Sequence, residues 1–105
     1  IVEQFNIINQ YLQNIKNNNV IICGDFNINL YEKIQGKRYE NYEKNTEYIK
    51  NNFNIINHKK IYTNFSQNTI TDFILYKKTA RLKNIFSKTI ITDISDHNAV
   101  YGVFI

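Results

Sequence analysis

Val20-Ile21-Ile22-Cys23-Gly24-Asp25-Phe26-Asn27-Ile28-Asn29 is the stretch that decides how this chain reads. Four apolar residues run unbroken into Gly24, and a carboxylate and an amide follow on Asp25 and Asn27, the pattern of a strand that delivers two polar groups at its end. Continuity rather than alternation predicts a strand covered on both faces. Function is expected at its exit, although Asp25 and Asn27 taken alone suit a turn equally well.

Upstream, residues 2–16 place Phe5, Ile8, Leu12 and Ile15 three and four apart, with Ile7 and Tyr11 widening the stripe: an amphipathic helix, ended by Asn17-Asn18-Asn19. Downstream, Tyr31 to Arg38 reads as a surface loop whose Lys33, Lys37 and Arg38 could touch a DNA backbone. Tyr42, Thr46, Ile49 and Phe53 share a face and predict a helix over 40–52. Ile61–Phe65 alternates and Ile70–Tyr76 resumes as a strand, so 61–76 reads as a hairpin turning at Ser66-Gln67-Asn68. Ile85–Ile91 is a further apolar segment, and Ala99–Ile105 a closing strand whose Gly102 marks a bulge or close packing. Helices leading into strands predict a layered α/β or α+β fold.

At 105 residues the chain is one domain at most. It opens on Ile1 with helical periodicity almost at once, so an excised piece is expected. Thirteen Lys+Arg against nine Asp+Glu give a net charge of +4 and a modest leaning toward polyanions. A single cysteine, Cys23, rules out an intrachain disulfide and favours an intracellular setting, the nucleus included; its apolar neighbours predict a small buried hydrophobe. No apolar run approaches the roughly 18–20 residues of a membrane span, so no membrane partner is expected. The wealth of Asn, Ile, Lys and Tyr resembles the bias of an AT-rich coding sequence, and Asn by itself is not read as site chemistry.

Three carboxylates stand beside apolar strands: Asp25, Asp72 and Asp96, the last followed by His97. Such groups are costly unless paired, hydrogen-bonded or metal-bound, and a shared site is the economical reason for all three. Gly24-Asp25-Phe26-Asn27, Thr71-Asp72-Phe73-Ile74-Leu75 and Ser95-Asp96-His97, in this order, resemble the endonuclease/exonuclease/phosphatase superfamily, and most closely its branch carried by non-LTR retrotransposons. Tyr62-Thr63-Asn64-Phe65-Ser66 and the ending Asn98-Ala99-Val100 look like that branch too. The resemblance covers nearly the whole chain but only the C-terminal half of the family's domain.

It implies metal-dependent phosphodiester hydrolysis, and for this branch a DNA endonuclease that makes single-strand nicks. Asp25 would position and deprotonate the water, Asn27 would aim its amide at the water or a phosphate oxygen, and His97 would hydrogen-bond a non-bridging oxygen while Asp72 held its ring. Asp96 would be a metal-side ligand for Mg²⁺, or Mn²⁺ in its place, because the available ligands are hard oxygens. Thr63 and Ser95 would lie toward the nucleic acid, Ser95 bracing the site. Asp93 and His58 read as loop residues.

The implied fold is a four-layer α/β/β/α sandwich, of which residues 1–105 would be a single partial domain: one mostly antiparallel or mixed sheet with two flanking helices. The family's Asn, metal-binding Glu and phosphate-contacting Tyr precede the first motif and have no counterpart here, which leaves the metal site incomplete in this chain. The inner sheet face would then be apolar and need covering, by the missing N-terminal half or by another chain. Two other functions fit the same motifs: a phosphomonoester or lipid phosphodiester hydrolase, and a catalytically inert remnant or nucleic-acid-binding module.

Overall fold

A computed structural model describes residues 2–32 and 40–105. Lys33, Lys37 and Arg38 lie outside the described residues, as do the side chains of Phe5 and Tyr42. The chain is an α+β domain in the order α1 (Val2–Asn14), β1 (Ile21–Asp25), α2 (Glu40–Asn52), β2 (Phe53–Ile55), β3 (Asp72–Lys77), β4 (Asn84–Ile90) and β5 (Ala99–Phe104). The strands form two antiparallel sheets where one was expected: a three-stranded sheet in the order β1-β3-β2, and the hairpin β4-β5.

β3 is the centre. Phe73 and Leu75 alternate onto one face and are fully buried, meeting Leu12 of α1, Ile49 of α2, Phe53 of β2 and Leu30 of the segment after β1. α2 forms where the stripe predicted it because Thr46, Ile49 and Phe53 face inward together. α1 is held less firmly: Leu12 is buried, whereas Tyr11 is 70% exposed and Ile7 54%. Its end is sealed locally, the Asn19 backbone N–H donating to Asn17 Oδ1 at 2.8 Å, so the asparagine run stops the helix by offering the backbone a turn.

β1 departs from expectation. It lies at the edge of its sheet and the helices cover one face only, so Ile22 packs on the core opposite Leu75 while Ile21, Cys23 and Asp25 project into solvent. Cys23 is therefore an exposed thiol, not a buried hydrophobe.

Residues 61–65 are not a strand. Asn64 alone forms bridges, to Thr69 on one side and to His97 on the other. The Asn64 side chain accepts from Ser66 Oγ at 2.8 Å and from the Gln67 N–H at 3.3 Å, holding a tight turn that ends at Asn68 with φ 52°. Polar side chains that bond the local backbone replace the ladder.

The β4-β5 hairpin approaches the first sheet through its inner face. Ser87 Oγ donates to the Ile56 carbonyl at 3.0 Å, and the Phe104 and Tyr76 rings meet edge-on at 5.4 Å. Gly102 sits under close packing: a Cβ there would clash with the Ile56 δ-methyl. On the outer face Phe86, Ile90, Tyr101 and Val103 are between 38% and 49% exposed. No helix among the described residues is long and apolar enough to cross a membrane.

Candidate functional site

β1 and β3 run antiparallel in a register that sets Asp25 directly opposite Asp72. Like charges directly opposite one another destabilise a sheet, so this pair is a departure from good strand design. The third member arrives from the other sheet. His97 ends the loop before β5, and its Nδ1 lies 2.7 Å from Asp72 Oδ2. One ligand atom from each of Asp25, Asp72 and His97 lies within 4.8 Å of the others.

The side chains of His97 and Asp72 are 30% and 24% exposed, reachable from solvent yet largely enclosed. The hydrogen bond to Asp72 raises the His97 pKa above its ordinary value; burial works against it, and the charges of Asp72, Asp96 and Asp25 add to the rise. As an imidazolium, His97 donates Nδ1–H to Asp72 and presents Nε2–H for another acceptor. Among the described residues, three carboxylates against one imidazolium leave the neighbourhood anionic.

Each side chain is held by its neighbours. Asp25 Oδ1 accepts the Asn27 N–H at 2.8 Å, and Asn27 itself is left-handed at φ 56°, so this pair forms the turn that its composition allowed. The Phe26 N–H donates to the Thr71 carbonyl at 2.7 Å, extending the β1-β3 pairing one residue beyond the two aspartates. Thr71 Oγ1 donates to Asp72 Oδ2 at 3.3 Å. Ser95 Oγ accepts the His97 N–H at 3.1 Å, a bracing contact beside the ring.

Other sequence candidates fall elsewhere. Asp96 is exposed, lies outside the converging group, and has a 3.5 Å contact from Ser95 Oγ. Asn27 shares with Asp25 the lining of an apolar cavity of about 200 Å³ that also includes Ile8, Leu12 and Ile49. Thr63 cannot face a nucleic acid: it is 0% exposed, and its hydroxyl oxygen accepts the backbone N–H groups of Thr71 and Asp72. His58 is exposed, with Nδ1 accepting the Lys60 N–H, and Asp93 is exposed.

The sequence matches no protein-family model, no curated protein and no solved structure.

Two buried amides have roles that the sequence reading did not assign. Asn57 donates from Nδ2 to the Asp72 carbonyl at 2.7 Å and accepts the Ile74 N–H at Oδ1, clamping the end of β3 that carries the carboxylate. Asn98 donates from Nδ2 to the Tyr62 carbonyl at 2.7 Å and accepts the Thr92 N–H at 3.0 Å, closing the loop that carries His97. Their only sequence signal was position, Asn98 directly after His97 and Asn57 between a short apolar pair and a lysine pair. Tyr31, expected in a surface loop, is half-buried instead. Its hydroxyl donates to the Asn57 carbonyl at 2.6 Å, and burial pushes its pKa up to about 12.

Proposed function

We propose that Asp25, Asp72 and His97 form the working centre of a metal-dependent phosphodiesterase whose substrate is DNA and whose reaction is single-strand nicking. One observation carries this reading: two carboxylates oppose each other in register while the second sits 2.7 Å from an imidazole. A fold gains nothing from that repulsion, and strained electrostatics of this kind concentrate at functional sites.

The donor set fits a hard divalent cation. Asp25 and Asp72 each retain a carboxylate oxygen beyond those engaged by the Asn27 N–H and by His97, and an anionic neighbourhood would otherwise repel a phosphodiester. Asp72 would hold Mg²⁺ through its remaining oxygen, with Mn²⁺ able to replace it, and Asp25 and Asp96 would add charge beside it. When bound, the ion supplies charge neutralisation at the phosphoryl oxygens. The remaining work belongs to the chain. Asp25 orients a water and accepts its proton, Asp72 fixes the imidazole through Nδ1, and His97 donates Nε2–H to a non-bridging oxygen as charge builds there. In this reading the chain contributes its strands and helices to part of a four-layer sandwich, and the apolar outer face of β4-β5 is covered by the rest of that sandwich or by a partner chain.

A second reading, a nucleic-acid-binding module without turnover, is favoured by one observation. Among the described residues the converging set ends at two carboxylates and one imidazole, and the imidazole Nδ1 is already committed to Asp72.

Supercoiled-plasmid nicking in Mg²⁺ by wild type, Asp25→Ala and His97→Ala separates the two. Nicking by wild type that both substitutions abolish supports the phosphodiesterase. Nicking that survives both would remove the site assignment, and plasmid binding without nicking would favour the module. Hydrolysis of a phosphomonoester or a lipid phosphodiester in place of DNA would keep the site and change its substrate.

A further inference from the structure

Asp72 lies on β3 and His97, 25 positions later, in the loop that joins the strands of the other sheet, yet they meet at 2.7 Å. A separation that short needs both backbones fixed to a common reference. Thr63 provides it. Its hydroxyl oxygen accepts the Thr71 and Asp72 N–H groups at 3.0 and 3.1 Å, and its carbonyl accepts the Asn98 N–H at 2.6 Å. One fully buried residue therefore bonds the backbone of Asp72 on one side and that of the residue after His97 on the other.

Asn98 makes the second attachment rigid. Its side chain is nearly fully buried and uses both ends, donating to the carbonyl of Tyr62, the residue before Thr63, and accepting the Thr92 N–H from the start of the His97 loop. The loop is thus closed on itself and pinned to the 62–63 backbone by two bonds. The neighbouring bridge between Asn64 and His97 continues the same seam.

We propose that Thr63 and Asn98 are the positioning residues of this site, a single backbone gauge that sets the separation of Asp72 and His97. Neither touches the substrate or the reacting atoms. The assignment rests on the reading of Asp72 and His97 as the acting pair, but the gauge itself is measurable without any substrate. Positioning at this level matters because a displacement of about 1 Å can cost on the order of 100-fold in rate.

The test is the hydrogen-bonded imidazole N–H proton of His97, observed far downfield by NMR. With two histidines in the chain, it is assigned by its disappearance in His97→Gln. Thr63→Val keeps the side-chain shape and removes the acceptor; Thr63→Ser restores it. The expected result is loss of the downfield signal in Thr63→Val and in Asn98→Ala, each retaining cooperative unfolding, and its return in Thr63→Ser. In the nicking assay the same two variants lose on the order of 10- to 100-fold in kcat with little change in KM. A folded Thr63→Val or Asn98→Ala with the wild-type signal would overturn the proposal. So would complete unfolding of both variants, which would make these residues structural supports only. Absence of nicking by wild type, with the signal behaving as expected, would remove the function and leave the gauge standing.

Discussion

Asn57 offers the sharpest quantitative consequence of the way β3 is held. It is 7% exposed, its Nδ2 donates to the Asp72 carbonyl, and its Oδ1 accepts the Ile74 N–H at 3.2 Å. Asn57→Ala leaves a carbonyl and an N–H of the central strand without partners. Each orphaned group costs about 1–3 kcal/mol. Both belong to half-buried residues that water reaches in part, so the lower end applies to each, and the sum is about 2–3 kcal/mol. Against a total stability of roughly 5–15 kcal/mol for a domain, that loss is conspicuous. Asn57→Leu, with the same branching but larger and without polar ends, refills the site while removing the hydrogen bonds, and so separates hydrogen bonding from lost packing. Urea unfolding followed by circular dichroism should show both variants losing about the same amount, with nicking reduced because the backbone of Asp72 has lost a tether. Losses under about 0.5 kcal/mol in both would refute the reasoning. A large loss in Ala with none in Leu would assign the effect to packing.

Gly102→Ala should destabilise by about 1 kcal/mol, the low end for overpacking, because the new Cβ must displace mainly the terminal methyl of Ile56, with a smaller adjustment of the Phe104 ring; chemical denaturation measures it. His97 holds its proton more tightly in the folded chain than in the unfolded one, so its contribution to stability is fully present below about pH 6.5 and is lost as pH rises through the raised folded value. The urea midpoint of wild type relative to His97→Gln should therefore shrink between pH 5.5 and pH 9; a constant or growing difference would contradict the pairing with Asp72. Removal of divalent ions with EDTA should abolish nicking and added Mg²⁺ or Mn²⁺ should restore it, since Asp25 and Asp72 offer oxygen donors.

Much of this arrangement was legible in the residues because local pattern decided it. The stripe Thr46, Ile49 and Phe53 placed α2, and the apolar run into Gly24 placed β1 with Asp25 at its exit. The run Ile70–Tyr76 marked a strand, and β3 lies within it. What could not be read depended on partners far along the chain. Continuity of Val20–Cys23 looked like cover on both faces, but the number of faces covered is set by where the helices lie and by the edge position of β1. Ile61–Phe65 alternated like a strand, yet the side chains of Thr63 and Asn64 found backbone partners and displaced the ladder. Asn57 and Asn98 were hidden by composition: in a chain this rich in asparagine, nothing local distinguishes a buried clamp from a solvated turn. Their roles exist only as contacts to Asp72, Ile74, Tyr62 and Thr92.

The central claim is that Asp72 and His97 act as one unit on a phosphodiester. A double-mutant cycle on the nicking rate, with Asp72→Asn, His97→Gln and the double variant in saturating Mg²⁺, measures that coupling directly. If the two act together, each single substitution removes most of the rate and the double variant is within about twofold of the slower single. Independent, multiplicative losses, or wild-type rates in either single variant, would contradict it.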